Sequence, residues 1–191
     1  RITMNLLKLN NIREASLFPR DMERVDIRLS KQGGLSNKNG NDVYEKLLKL
    51  LDSKNISYQK YEHEPVYTSE QAAKVRGDVS VHQGAKALVV QADKELTLFV
   101  LPGDLQADLE TLREKLNVKK LVMASKETVK AKTGLDVGSV PPFGSLIGLR
   151  TYVDSRLSEN SEIAFNAGRH DRSIKMKYLD TATRIFKVKE L

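Results

Sequence analysis

The stretch Gly84-Ala85-Lys86-Ala87-Leu88-Val89-Val90-Gln91-Ala92-Asp93-Lys94-Glu95-Leu96-Thr97-Leu98-Phe99-Val100-Leu101-Pro102-Gly103 decides the fold. Residues 85–91 and 96–101 are apolar and β-rich and are separated by the short, mostly polar stretch Ala92-Asp93-Lys94-Glu95, so the pattern predicts a hairpin of adjacent strands at the sheet centre. Pro102-Gly103 breaks the second run. Asp104 is then placed to cap a helix reaching about Leu116, with Leu105, Leu109, Leu112 and Leu116 as its buried stripe.

On the N-terminal side of the hairpin, Asn41 or Asp42 can cap a helix that runs to about Lys54. Its residues Val43, Leu47, Leu48, Leu50 and Leu51 recur at helical spacing. Residues 56–62 alternate like a strand, and Thr68 opens a second helix in which Gln71 completes a capping-box pattern and Gly77 marks the stop. Beyond the hairpin the sequence predicts a short strand at 120–123 and a helix that starts at Ser125 and ends before Gly134. Strands follow at 151–153, 162–166 and 172–176, then a helix at 178–183 and a closing strand at 185–188. Strands and helices mixed in this order argue an α/β fold with a mixed sheet.

A chain of 191 residues with 40% hydrophobic content can bury one core with a modest appendage. The absence of cysteine excludes disulfides, thiolate metal sites and cysteine nucleophiles, and fits a reducing cytosol. The three histidines, at positions 63, 82 and 170, lack metal-ligand spacing, so neither a metal nor another cofactor is expected. A net charge of +7 favours a polyanionic partner, although a merely basic soluble protein would show the same number. Lys115, Lys119, Lys120, Lys126, Lys130 and Lys132 cluster in one stretch, and Arg169, His170, Arg172, Lys175 and Lys177 in another. No apolar run is long enough to span a bilayer and no cleavable signal opens the chain, so the expected location is cytoplasmic, without a membrane partner.

Two features carry chemistry. Lys86 stands where an apolar strand begins, so its stem can be buried while its ammonium meets an anion; an ordinary strand-end lysine reaching to water has the same signature. The loop Gly138-Ser139-Val140-Pro141-Pro142-Phe143-Gly144 has a backbone fixed by glycine and proline. The N–H groups of Gly138, Ser139 and Val140 could surround a carbonyl oxygen as it becomes an oxyanion. Such a donor supplies about 3 to 4 kcal/mol when well placed. A rigid surface turn would need the same residues. No Ser/His/Asp constellation or nucleophile elbow is present, so covalent catalysis is not expected. Together the two features suggest a phosphate-ester or acyl-ester ligand held without metal.

These residues resemble the YbaK-like family, the aminoacyl-tRNA editing domains also found inserted in prolyl-tRNA synthetases. The resemblance covers roughly residues 41–191. It rests on Lys86 at a strand start, the Gly-x-x-x-Pro run from Gly138 to Pro142, and further landmarks in order: Tyr61-Glu62-His63-Glu64-Pro65, Thr68 to Ala73, Tyr152-Val153-Asp154 and Phe165-Asn166-Ala167-Gly168. The resemblance implies a partly closed mixed sheet surrounded by helices. It implies a site where Lys86 pairs with phosphate near the terminal adenosine of tRNA, and where the loop from Gly138 through Pro142, Phe143 and Gly144 holds the ester. A ribose hydroxyl of the substrate then helps deprotonate the attacking water. Tyr61 and His63 could line the acceptor pocket, although His63 also reads as a structural histidine. Thr68, Val140 and Phe143 would set the pocket volume. Asp154 could hold hydrogen bonds beneath the loop or simply form a turn. Asn166 and Gly168, in a glycine turn that ends a strand, are expected to bind substrate, and Arg169 and His170 beyond it could meet tRNA phosphate or the aminoacyl group, although an exposed polar turn would look similar; Ser173 could face the pocket.

Residues 31–42 are dense in Gly, Asn, Ser and Lys and read as a linker, separating residues 1–30 from a main domain at 43–191. Arg1-Ile2-Thr3-Met4 with Asn11-Ile12-Arg13-Glu14-Ala15-Ser16-Leu17-Phe18-Pro19-Arg20-Asp21 resembles the C-terminal end of class II aspartyl-tRNA synthetases, where their third signature motif finishes. By that resemblance Arg1 is the ATP-contacting arginine, the elements that normally precede it are missing, and this chain does not aminoacylate. The function expected is therefore an aminoacyl-tRNA deacylase with the 3′ end of tRNA as its partner, acting in trans or beside a synthetase body. The alternatives are a non-catalytic tRNA-docking module and an unrelated small-molecule esterase.

Overall fold

The computed structural model describes residues 12–14 and 39–185; most of the leader, the first part of the linker and the closing strand expected at 185–188, apart from Ile185, lie outside the described residues. Strand β1 is Ile12–Glu14, β2 Tyr58–Glu62, β3 Ala85–Ala92, β4 Glu95–Pro102, β5 Leu121–Met123, β6 Arg150–Asp154, β7 Glu162–Asn166 and β8 Arg172–Lys177. Helix α1 is Gly40–Ser53, α2 Ser69–Arg76, α3 Leu109–Lys115, α4 Lys126–Thr133 and α5 Tyr178–Asp180, which runs into a π turn at Thr181–Ile185.

The expected hairpin forms, paired from Ala85↔Pro102 to Ala92↔Glu95, and its turn tightens to Asp93-Lys94. Asp93 takes φ +52°, a left-handed conformation that Asp tolerates because its short side chain bonds locally. Its carboxylate accepts the N–H groups of Lys119 and Lys120. The hairpin lies inside a five-stranded sheet of order β1-β6-β4-β3-β5, mixed because β6 runs parallel to β4. Residues 12–14 of the leader form an edge strand against β6. A second, three-stranded sheet, β2-β8-β7, is antiparallel. The two sheets touch where Gly84 bridges Ala164 and the Ala164 N–H donates to the Gln83 carbonyl at 3.0 Å.

Val43, Leu47 and Leu51 of α1 are fully buried in the main core, together with Leu98, Phe165 and Ile174. Each such side chain contributes about 2 kcal/mol of apolar burial. A smaller cluster of Val90, Phe99, Leu112, Leu121 and Tyr152 fills the other face of the larger sheet.

Two helix starts and one cap differ from expectation. Helix α1 starts at Gly40, capped by Asn39 with Asp42 in a reciprocal capping box, so the last residues of the expected linker belong to the domain. Thr68 caps α2 through the Gln71 N–H, but the Gln71 side chain accepts from Tyr67 rather than closing a box on Thr68. Helix α3 starts at Leu109, capped by Asp108, and not after Asp104. The Asp104 carboxylate is held by His82 at 2.9 Å, and the Gly103 and Leu105 carbonyls are turned to Lys86, which leaves residues 103–107 no helical path.

Candidate active site

The seam between the two sheets opens into a cleft of about 210 Å³, far more than the ~10–15 Å³ a single water needs. Its walls come from the start of β3 (Gly84 to Leu88), α2 (Thr68, Ser69, Ala72 and Arg76), the turn Val137, Gly138 and Val140, and the end of β7 (Ala164 to Asn166). Exposed Tyr67 and Val137 stand at the rim.

Lys86 points across the strand end to the loop after β4, where its ammonium donates to the carbonyls of Gly103, at 3.1 Å, and Leu105. An ammonium has three donors, so one remains for a ligand in the cleft. Burial pulls the Lys86 pKa down, and the nearby carboxylates of Glu70 and Asp104 oppose that shift. The charge is thus held in place by neutral oxygens and, among the described residues, is not cancelled by a direct ion pair.

The facing turn is tied down residue by residue. Asp136 O accepts the Ser139 N–H at 3.0 Å and the Ser139 hydroxyl at 2.9 Å. Gly138 takes φ +89°, a region an L side chain rarely enters, and a Cβ there would also stand 3.2 Å from the His170 ring. The Gly138 carbonyl accepts Asn166 Nδ2 at 2.8 Å, and the Ser139 carbonyl accepts the Gly168 N–H at 2.9 Å. The C=O and N–H of one trans peptide point in opposite directions, so the tie at Ser139 O turns the Val140 N–H the other way. This corrects the expected three-donor hole: the Ser139 N–H is consumed by its own turn. The N–H groups of Gly138 and Val140 have no hydrogen-bond partner among the described residues.

Beneath the turn lies a group that sequence reading missed. Arg76, only 7% exposed, donates from Nη2 to Asn166 Oδ1 and to Ser173 Oγ, both at 2.9 Å. Ser173 Oγ in turn meets His63 Nε2 at 2.7 Å, and His63 Nδ1 lies 2.8 Å from the Glu64 carbonyl. A carbonyl oxygen only accepts, so a neutral His63 carries its proton on Nδ1 and its Nε2 accepts a hydrogen bond from the Ser173 hydroxyl, which also lies 3.2 Å from Asn166 Oδ1. Burial lowers the Arg76 pKa to about 10, and no carboxylate contributes to raising it. The helical spacing of Ala72 and Arg76, which share the buried face of α2, is the signal that could have found this arginine.

Several expected site residues stand elsewhere. Phe143 is buried in the core against Phe165, with ring centroids 5.1 Å apart, and does not line the cleft; Pro142 is buried beside it. Gly144 begins a 3₁₀ turn whose N–H bonds Thr151 Oγ1 at 3.1 Å, a packing position without room for a Cβ. Asp154 is not beneath the loop: it pairs with Arg156 and lines a separate cavity beside Leu112, because β6 carries it to the far side of β4. Tyr61 bonds Asp78 at 2.8 Å outside the cleft, and His63 reaches the site only through Ser173. Arg169 is engaged by Asp171 and Asn41, and His170 bonds the Val66 carbonyl and packs on Tyr67 at 4.6 Å. With Gly168 these residues line a shallow groove that continues from the cleft past Tyr67. Within the second basic stretch, Arg169, Arg172 and Lys175 are each matched to carboxylates, so less of its charge faces solvent than the sequence suggests. No group of three or more His, Asp or Glu side chains among the described residues is placed to hold a metal ion.

The site is thus a cleft at a sheet seam, with a held lysine on one wall and a glycine turn on the other. Residues 63–183 match the family described as the aminoacyl-tRNA editing domain, and the chain belongs to that family. It is 34% identical over 146 residues to the multifunctional Ser/Thr-tRNA deacylase ProXp-y of Escherichia coli (strain K12), covering 74% of this chain and 87% of that protein. It is 29% identical over 145 residues to the prolyl-tRNA editing protein ProX of Acetoanaerobium sticklandii, covering 73% of this chain and 88% of the relative. The fold matches the crystal structure of a putative trans-editing enzyme for prolyl tRNA synthetase with a TM-score of 0.65 at 21% identity, over 81% of this chain and 96% of that one. Among the described residues no helix is long and apolar enough to cross a membrane.

Proposed function

We propose that this chain hydrolyses the ester joining a misattached amino acid to the terminal ribose of tRNA. The observation that carries the reading is the pairing, across one cleft, of Lys86 with a spare donor and a turn offering the Gly138 and Val140 N–H groups. The ammonium of Lys86 takes the phosphate next to the terminal adenosine and sets the register of the ester. Water attacks the carbonyl carbon, the carbonyl oxygen becomes an oxyanion facing the Gly138 turn, and the bond to the ribose oxygen then breaks. A neighbouring ribose hydroxyl relays the proton from water to the leaving ribose oxygen, so the products are a free amino acid and intact tRNA. No protein base is needed, and positioning with oxyanion stabilisation carries the rate.

Thr68, Ala72, Val140 and Phe165 bound the space for the amino-acid side chain. A pocket of this kind rejects larger side chains by sterics and separates small ones weakly, which is the situation in which hydrolysis after the error is useful. The E. coli relative makes seryl and threonyl esters the first substrates to try. The finer reading, that residues 1–29 are the end of an aspartyl-tRNA synthetase carrying this domain as an extension, is supported by the sequence likeness of that segment alone. Incubating the chain with seryl-, threonyl-, alanyl- and cysteinyl-tRNA and following ester loss tests the proposal: cleavage of at least one ester supports it, and stability of all four contradicts it.

A further inference from the structure

Among the described residues, Arg76 is a charge without a counter-charge. It is 7% exposed, its guanidinium is held by two neutral oxygens, and its Nε has no hydrogen-bond partner among the described residues. The carboxylate two residues on, Asp78, is already taken by Lys175 and Tyr61. Burying an unneutralised cation is costly, and an apolar residue of similar volume would normally serve the fold better. The place of Arg76 on the cleft wall gives that cost a purpose.

The chemistry of the contacts is directional. A guanidinium only donates, so it forces Asn166 to present Oδ1 to Arg76; the amide nitrogen Nδ2 must then face the other way, where it meets the Gly138 carbonyl at 2.8 Å. Without Arg76 the Asn166 amide could turn over, putting its oxygen against the Gly138 oxygen and releasing the peptide that orients the turn. We propose that Arg76 is the positioning residue of this site, fixing the Asn166 amide and through it the Gly138 turn, while its unneutralised charge beneath the cleft favours an oxyanion over the neutral ester. This rests on the deacylase reading. Ser173, itself bonded to His63, accepts a second hydrogen bond from the same Nη2.

The test is deacylation of the panel by wild type, Arg76→Met, Arg76→Lys, Arg76→Ala and Asn166→Asp in the full chain, with thermal melts on each. The expected result is a fall in kcat of about 100-fold for Arg76→Met with KM nearly unchanged, as for loss of one oriented oxyanion donor. Arg76→Lys, which keeps the charge but not the planar fork, recovers part of it. Millimolar methylguanidinium restores activity to Arg76→Ala and leaves wild type unaffected. Asn166→Asp, which neutralises the guanidinium and removes the donor to Gly138, falls as far as Arg76→Met. A folded Arg76→Met chain with wild-type kcat overturns the proposal, as does a folded Arg76→Ala chain that methylguanidinium leaves inactive. If wild type cleaves no ester, the deacylase reading fails, and the positioning role is then read by NMR. The side-chain amide protons of Asn166 and the backbone N–H of Gly138 and Val140 must shift together in Arg76→Lys, and unmoved resonances overturn it.

Discussion

The carbonyl of Ser139 accepts the N–H of Gly168 at 2.9 Å, so the turn that faces the cleft is fastened to the connection between β7 and β8. Gly168 holds φ +89°, and a Cβ there would meet the Gly40 carbonyl at 2.9 Å and Val43 at 3.3 Å. Gly168→Ala is therefore expected to cost about 2 kcal/mol of stability through backbone strain, and to slow ester hydrolysis because the shifted backbone carries the residue 168 N–H away from the Ser139 carbonyl. Thermal melts and deacylation rates measured together check this, and a variant as stable as wild type contradicts it.

Substitution of Lys86 is expected to separate catalysis from stability. Its ammonium is half-buried among carbonyls, and burial already disfavours its charge. Lys86→Met should fold with a melting temperature equal to or above that of wild type, while deacylation falls at least about 100-fold. A loss of both together would mean that the lysine serves the fold.

Tyr67 is 69% exposed and packs on His170 at the rim of the cleft, an aromatic face open to an unpaired base. A stacked base is worth about 1–3 kcal/mol, so Tyr67→Ala should raise KM for aminoacyl-tRNA by roughly 5- to 150-fold with kcat preserved. Titrating each enzyme with substrate distinguishes this from a change in the chemical step.

Asp171 is held at a pKa of about 2 by its hydrogen bonds and charge pairing with Arg169, helped by Arg172. A carboxylate whose folded value lies below its unfolded value stabilises the fold above the unfolded value, near 4, and loses that contribution as pH falls to about 2. Allowing for the partial exposure of Arg169, the pair is worth about 1 kcal/mol. Asp171→Asn should lower the melting temperature at pH 7 and leave a shallower decline between pH 4 and pH 2, which calorimetry across that range measures.

What could be read from sequence follows the range of the interactions involved. The β3–β4 hairpin, α2 with its Thr68 cap, and α4 with Ser125 and Gly134 as its ends are set by neighbours in the chain, and their patterns are legible there. The helix after β4 starts at Leu109 and not after Asp104 because Asp104 is claimed by His82, 22 positions away, a competition that no local rule contains. Within the site, Lys86 and the Gly138 turn announce themselves by residue type. Arg76 does not, since a basic residue in a last helical turn reads as a complement to the helix dipole, and only β7 and β8 turn it into a buried charge. Phe143 and Asp154 show the converse: each sits near a motif in sequence, and packing directs it to the core or to another cavity.

The most direct measurement is single-turnover deacylation of seryl- and threonyl-tRNA by the wild-type chain and by Lys86→Ala, with tRNA binding followed in parallel at two salt concentrations. The account predicts that wild type cleaves at least one of these esters, that Lys86→Ala spares it, and that binding by both weakens steeply with salt. Binding without cleavage by the wild-type chain would contradict it and leave a tRNA-docking module in its place.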